Sequence, residues 1–249
     1  PRGEIDPAKD IRTMDEEIIL ADLLSVESRM EKLKKDLKGG KNPDGEKEMG
    51  WLTSLHTNLS EGKAIRELSL SPPEEKAFRS FAFLSQKPLF HMINVDEKDI
   101  GLIETPEKII ASDKQRTATL AFCGKIEMEI LELDEDEKDI FLEEYGFKEL
   151  SAPKFLRSSY KLLDVITFFS IGNEEVKAWT IPKDTPALHA AGVIHSDIEK
   201  GFVRAEVIGW EDLCHFGSFQ NAKENAAIRL EGKDYAVQDG DVIYFRFAK

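Results

Sequence analysis

Two short stretches set recognition chemistry at the ends of apolar runs. In "PLFHMINVDEKD", Pro88 to Asp99, the run ends in the polar tetrad Asn94-Val95-Asp96-Glu97. In "TATLAFCGK", Thr117 to Lys125, it ends in Cys123-Gly124-Lys125. An Asn and an acid at a strand's carboxyl end suit the edge of a purine base. Guanine offers neighbouring N–H donors that one carboxylate accepts as a pair, whereas adenine presents an acceptor beside its amine donor. Proteins that select guanine place an Asp in such a loop, after an Asn and a Lys. Here the Lys is missing and the acid is Glu97, whose side chain is longer by a methylene. An adenine nucleotide would then meet Asn94 and the backbone around Val95, with Glu97 displaced. Gly124 would admit close backbone approach from the other side, and the Lys125 stem could cover the ring. Plainer roles also fit: a helix start capped by Asn94 or Asp96, and a strand-to-helix turn at Cys123 to Lys125.

Phosphates ask for another signature. The pattern G-x-x-x-x-G-K-S/T aims amide N–H groups at the anion from a helix N-terminus. Its nearest match, Gly40-Lys41-Asn42, has no strand before it, the wrong spacing and no hydroxyl for Mg²⁺. The expectation is a chain that does not carry out phosphoryl transfer by itself. His195-Ser196-Asp197 invites a triad, yet adjacent residues rarely converge, and a capped helix start with a structural His is the favoured reading. His56, His91, His189 and His215 form no metal-ligand spacing. Lys32, Lys34, Lys35, Lys38 and Lys41 are the one basic concentration. They read either as a solvated helix face or as a contact for RNA phosphates.

The elements behind these residues follow from periodicity. Asp6-Pro7 is an N-cap followed by Pro at the first helical position. Ile19, Leu23, Val26, Met30, Leu33 and Leu37 then repeat at alternating spacings of four and three, a heptad seam. Gly39 to Gly45 is a turn-forming cluster, after which Leu52, Leu55 and Leu59 resume the spacing. A projecting helical hairpin with a narrow apolar stripe is expected. Ser71-Pro72-Pro73-Glu74 opens a short helix with a capping box. Strand, polar helix-compatible crossover and strand, from Pro88 to Lys125, predict a parallel α/β sheet whose ligand sits beyond the strands' carboxyl ends. "LDEDEKDIFLEEYGF" and "KFLRSSYKLL" predict two more helices. From Ile166 the runs "TFFSIG", "EVKAWTI", "FVRAEVIGW" and "DVIYFRF" read as strands. Turns at Gly172-Asn173 and Asp239-Gly240 and one helix in "HSDIEKGF", capped by Ser196 or Asp197, complete a small α+β domain.

Composition narrows the function classes. The chain has 249 residues, 41% hydrophobic and 33% charged, enough for one or two real cores. A net charge of −14 argues against broad, non-specific nucleic-acid binding while leaving room for a local basic patch. Cys123 and Cys214 suggest reduced thiols in a cytosolic setting. No apolar run is long enough to span a bilayer, and the expectation is a chain without a signal peptide. The chain opens Pro1-Arg2-Gly3 without Met, which reads as a fragment or processed product.

Several stretches together carry a family resemblance: "DPAKDIRTMDEEIILADLLSVESRM", "NVDE", "KLLDVITFFSIGNEEVKAWTI", "AAGVIHSDIEKGFVRAEVI" and "EGKDYAVQDGDVIYFRF". Over nearly its whole length the chain resembles the YchF/Obg-like ATPase family. That resemblance implies α/β plus α+β architecture: a partial P-loop NTPase sheet interrupted by an antiparallel helical hairpin, then a ubiquitin-like β-grasp TGS domain. The boundaries expected are 1–20 and 86–165 for the remnant of the G domain, 21–85 for the hairpin and 166–249 for the TGS domain. It also implies ATP used in preference to GTP with Mg²⁺ in the full-length family, ribosome or ribosomal RNA as partner, a cytoplasmic setting, and a link to translation and stress responses. By position, Asn94, Val95 and Glu97 match the family's altered base-specificity loop, and Cys123, Gly124 and Lys125 its last nucleotide loop. Ala is commoner where Gly124 stands. The family's P-loop, Mg²⁺-binding and switch segments have no counterpart here, so nucleotide is expected to bind weakly and not to turn over. The competing expectation is a non-catalytic module in which hairpin and TGS domain engage ribosome or RNA. The first half is expected to be less ordered or self-associating and the β-grasp half to fold independently; the oligomeric state stays open.

Overall fold

A computed structural model describes residues 5–40, 42–110, 115–172 and 175–248. The chain divides into two compact units, 1–158 and 159–249. The first begins with α1 (Pro7–Leu37), entered through Asp6, whose Oδ1 accepts from Lys9 N at 3.0 Å. Asn42 does the same for α2 (Pro43–Ser60), accepting from Gly45 N at 3.0 Å, so the second helix starts inside the turn cluster rather than after it. Glu27 meets His56 while Arg29 makes a two-pronged ion pair with Glu48, an opposed order that makes the helices antiparallel. Ile19, Val26 and Leu33 are buried against Leu52, Leu55 and Leu59, and Leu23, Met30 and Leu37 flank them.

The narrow apolar stripe expected for the hairpin is only part of its core. The stretch after α2 folds back through a 3-10 turn and α3 (Pro72–Phe78), and its Ala64, Ile65, Phe78 and Phe83 join the same core. Phe78 lies edge-on to Trp51 at 6.4 Å and to Phe83 at 6.0 Å, area that two leucine rows would not supply. Two carboxylates on the seam side of α1 anchor this return. Asp22 accepts from the backbone N–H of Leu84 at 3.0 Å and of Ser85 at 2.6 Å, and Asp15 pairs with the buried Arg66 at 2.6 Å.

Next come β1 (Leu89–Asn94) and β2 (Thr117–Phe122), paired in parallel from Leu89↔Thr117 to Asn94↔Phe122. The described part of the crossover holds only short 3-10 turns, Glu97–Leu102 and Pro106–Lys108. β2 ends before Cys123, and Gly124 and Lys125 open α4 (Gly124–Leu131) instead of ending the strand. Buried Ile126 and Ile130, four apart, mark that helix, a spacing hidden by the alternation Ile126, Met128, Ile130. The acidic helix α5 (Glu135–Glu144) follows, then α6 (Ser151–Leu163), within which the boundary between the units falls.

The second unit is a five-stranded sheet of order β4-β3-β7-β5-β6. Its elements are β3 (Val165–Ile171), β4 (Val176–Pro182), α7 (Ala187–Ile194), α8 (Ser196–Lys200), β5 (Phe202–Gly209), α9 (Trp210–Phe216), α10 (Phe219–Glu224), β6 (Arg229–Glu231) and β7 (Asp241–Phe247). β3 and β7 pair in parallel at the centre, and the other pairings are antiparallel. Ile166 and Phe168, Ala205 and Val207, and Ile243 and Phe245 alternate onto one face beneath α7, whose Ala187, Ala190 and Ala191 allow close approach. Ile208 and Val242 point to the other face and meet Leu213, Phe216 and Ala222 of α9 and α10. Four helices stand where one was expected. The cap of α8 is neither Ser196 nor Asp197 but His195, whose Nδ1 accepts from Asp197 N at 3.1 Å, which is the structural role. Gly172 N closes on Glu175 O at 2.9 Å, while Asn173 of that turn lies outside the described residues.

Candidate functional site

Parallel pairing in register brings Asn94 and Phe122, the last residues of β1 and β2, side by side. The residues following them therefore emerge together at the carboxyl edge of the sheet, where ligands of parallel sheets bind. Val95 N continues the ladder to Phe122 O at 2.9 Å. Asn94 Oδ1 accepts from Gly124 N at 2.9 Å, which fixes its carboxamide and leaves its NH₂ group to donate elsewhere. A Cβ on Gly124 would lie 3.3 Å from Asn94 Oδ1 and 3.4 Å from the Phe122 ring, so an Ala here asks for a shift of only a few tenths of an ångström.

Glu97, at the start of its 3-10 turn, and Lys125, in the first turn of α4, reach toward each other and form an ion pair. Hydrogen bonding to Glu97, then its charge, raises the Lys125 pKa, and Glu129 and Asp96 add to the effect, so the ammonium stays protonated. Asp96 caps the 3-10 turn, its Oδ1 accepting from Lys98 N at 3.4 Å; this is the plainer role foreseen for it. Cys123 is buried with Ile126, Ile130 and Phe147, and Val95 packs against that cluster, giving the loops an apolar floor. Asn94, Val95, Glu97, Cys123 and Lys125 all line one cleft of about 970 Å³, together with Ile5, Pro7, Leu102 and Ile109. Asp96, Lys98 and Asp99 complete its rim.

The six residues singled out from the two motifs are thus brought to one place, with Gly124 under the Asn94 carboxamide. What the motifs did not reveal is the ion pair. Opposite charges just beyond two register-matched strand ends were the available signal. The arrangement offers donors from a carboxamide, apolar flanks and a neutralised acid, which suits holding a flat polar ring. Among the described residues no three His, Cys, Asp or Glu side chains stand together so as to hold a metal ion.

Lys32, Lys34, Lys35 and Lys38 are exposed at the far end of α1, and none of them lines the cleft. Lys34 and Lys35 occupy the last helical turn, where cations complement the helix dipole, so part of this basic concentration has a structural cause. Lys41 lies outside the described residues. His195, Ser196 and Asp197 form no triad, because the His195 ring nitrogen is occupied in capping α8. No helix among the described residues is long and apolar enough to cross a membrane.

Comparison with known proteins bears on both units. A family model named YchF-GTPase_C, described as "Protein of unknown function (DUF933)", matches residues 165–248, which begin and end with the sheet of the second unit. The chain is 39% identical to the ribosome-binding ATPase YchF of Bacillus subtilis over 249 residues, covering 98% of this chain and 68% of the relative. It is 41% identical to the protein of that name from Pasteurella multocida over 248 residues, with the same coverage of 98% and 68%. With Obg-like ATPase 1 of Caenorhabditis elegans identity is 34%, over 98% of this chain and 63% of that protein. The structure of the Schizosaccharomyces pombe YchF GTPase superposes with a TM-score of 0.83 at 26% identity, covering 98% of this chain and 67% of the other. A GTP-binding protein of Pyrococcus horikoshii shares the fold at a TM-score of 0.57 and 18% identity, over 100% of this chain and 74% of that one.

Proposed function

Because the chain belongs to the YchF family, we propose that its cleft takes the base of ATP, in preference to GTP, and that the protein works in contact with the ribosome in the cytoplasm. On this reading it takes part in translation and stress responses, and residues 166–249 are a β-grasp TGS domain. The strand order with a central parallel pair supports the last point.

The observation that carries the base reading is the convergence of two loops on one cleft, with Asn94 Oδ1 pinned by Gly124 N–H. The Asn94 amide and the backbone at Val95 contact the base, Cys123 and Val95 give it an apolar seat, and the Lys125 stem covers it. The donor set fits a purine. It does not extend to phosphates or Mg²⁺, since the sequence has no G-x-x-x-x-G-K-S/T pattern. The chain as it stands is therefore proposed to bind nucleotide weakly and to release no phosphate from Mg²⁺–ATP. Turnover by the purified chain that disappears on changing Asn94 to Ala would refute the second half of that statement. Absence of any adenine-nucleotide effect on the amide signals of Asn94, Val95 and Gly124 would refute the first.

A second reading, a ribosome- or RNA-binding module, draws on the exposure of Lys32, Lys34, Lys35 and Lys38. Co-sedimentation with ribosomes separates the two. The module reading expects the chain to pellet with ribosomes without nucleotide and to lose this when the four lysines become Glu. Undiminished pelleting of that variant removes the helix end from the contact.

A further inference from the structure

If the cleft takes a purine base, as the base-site reading on which this inference rests has it, the acid at its rim that could tell purines apart is Glu97. A free carboxylate at the rim would accept from the N1–H and amine donors of guanine and repel the N1 lone pair of adenine. Here that carboxylate is engaged by Lys125 from the first turn of α4. Glu97 and Lys125 are 46% and 68% exposed in their side chains, so burial holds neither, and the ion pair itself sets the direction of Glu97. Asn94 is oriented independently, through Gly124 N–H at 2.9 Å, and keeps its NH₂ group for the ligand. Asp96, the neighbouring acid, is occupied in capping the turn that begins at Glu97.

We propose that Lys125 is a specificity-determining positioning residue: by engaging Glu97 across the mouth of the cleft it withdraws the carboxylate from the N1 edge of the purine, which removes a guanine contact and a repulsion against adenine. Selectivity is a difference between two binding free energies, and losing a favourable contact to one ligand alters it as surely as gaining one to the other. The pair is solvent-exposed, so its hold on Glu97 is modest. The expected bias is about three- to tenfold, the size of one screened hydrogen bond to a charged group.

The full chain, labelled with ¹⁵N, is titrated with AMP and separately with GMP while the Asn94 side-chain amide and the Val95 and Gly124 backbone amides are followed. The wild-type protein is expected to favour AMP. Lys125→Met should move the AMP to GMP affinity ratio toward GMP by about three- to tenfold. Lys125→Arg should restore the wild-type ratio, and Lys125→Met combined with Glu97→Gln should lose the gain for GMP. An unchanged ratio in Lys125→Met overturns the proposal, as does a gain for GMP that survives Glu97→Gln, since the effect would not then pass through that carboxylate. If neither nucleotide moves these signals in the wild-type chain, the base-site reading itself fails and takes the proposal with it. Binding with an unchanged ratio leaves the reading standing and sinks the proposal alone.

Discussion

Asp22 is 3% exposed on a helix face otherwise lined by Ile19, Val26 and Leu33, and its two oxygens accept from the N–H groups of Leu84 and Ser85. Removing the carboxylate leaves the buried Ser85 amide and the partly buried Leu84 amide short of acceptors, a loss of about 2–4 kcal/mol. Asp22→Ala should therefore lower the urea midpoint without changing the slope, and Asp22→Asn, which keeps one acceptor oxygen, should lose roughly half as much. An Ala variant as stable as the wild type would show the contact to be dispensable. Gly240 makes a different demand. Its φ is +82°, and a Cβ there would lie 2.5 Å from Trp210 Cδ1, while its own N–H bonds Thr167 O and its carbonyl accepts from Trp210 N. Gly240→Ala is expected to cost about 1–3 kcal/mol through strain and clash combined. Gly232→Ala, where a Cβ meets nothing within 4 Å, is the control and should stay near the wild-type melting temperature.

Among the elements, α3 is a short helix secured by its cap. The Glu74 carboxylate accepts from the Ser71 backbone N–H at 2.8 Å and from its hydroxyl at 2.5 Å, and these bonds hold its pKa below the ordinary value. A carboxyl whose folded pKa is depressed contributes stability above its unfolded pKa and loses it as pH falls through the folded value. Fraying of α3 is therefore expected only on the acid side of the usual carboxylate range, and Glu74→Gln should flatten it. The Ser71 amide chemical shift against pH reads this directly; a Ser71 signal that ignores acid would discard the cap. This cap was legible because all its parts lie within four residues, Ser71 to Glu74. The seam of α1 was legible for the same reason, as a repeat along one helix. The partners of Asp15 and Asp22 lie 51 to 63 residues away, and no local pattern could announce them. Helix α7 gives little periodic signal because "ALHAAGVI" has one polar side chain, His189, too few to mark out an apolar face. Helix α9 is hidden because it starts at once after β5, with Trp210 read as the strand's last residue. At the cleft the motif residues were readable, while the Glu97–Lys125 pairing needed the register of two strands that sequence leaves unstated.

The two units differ in how their backbone is secured. In the first, β1 pairs with β2 alone among the described strands, and its cohesion lies in the helical hairpin core and the smaller cluster around Cys123 and Ile130. Parallel strands with so few neighbours hold their hydrogen bonds weakly, and an unpaired edge lets water compete for them. In the second, β3, β7 and β5 each have a partner on both sides, and apolar residues cover both faces of the sheet. Local opening follows the number of buried contacts that must be broken, so hydrogen exchange in the intact chain should separate the units. Amides of Phe168, Val207 and Ile243 are expected to exchange slowest, by global unfolding of their sheet. Those of Phe90 to Ile93 and Ala118 to Ala121 should exchange markedly faster at low denaturant. The hairpin segments around Val26 and Leu55 should fall between, since their core is larger than that behind β1 but open to solvent along one side of α1. Mass-spectrometric exchange on peptides from these three regions is the measurement. Equal protection of β1 and β7 would mean that the parallel pair draws stability from something other than its own two strands, and would contradict the expectation that the second unit folds independently of the first.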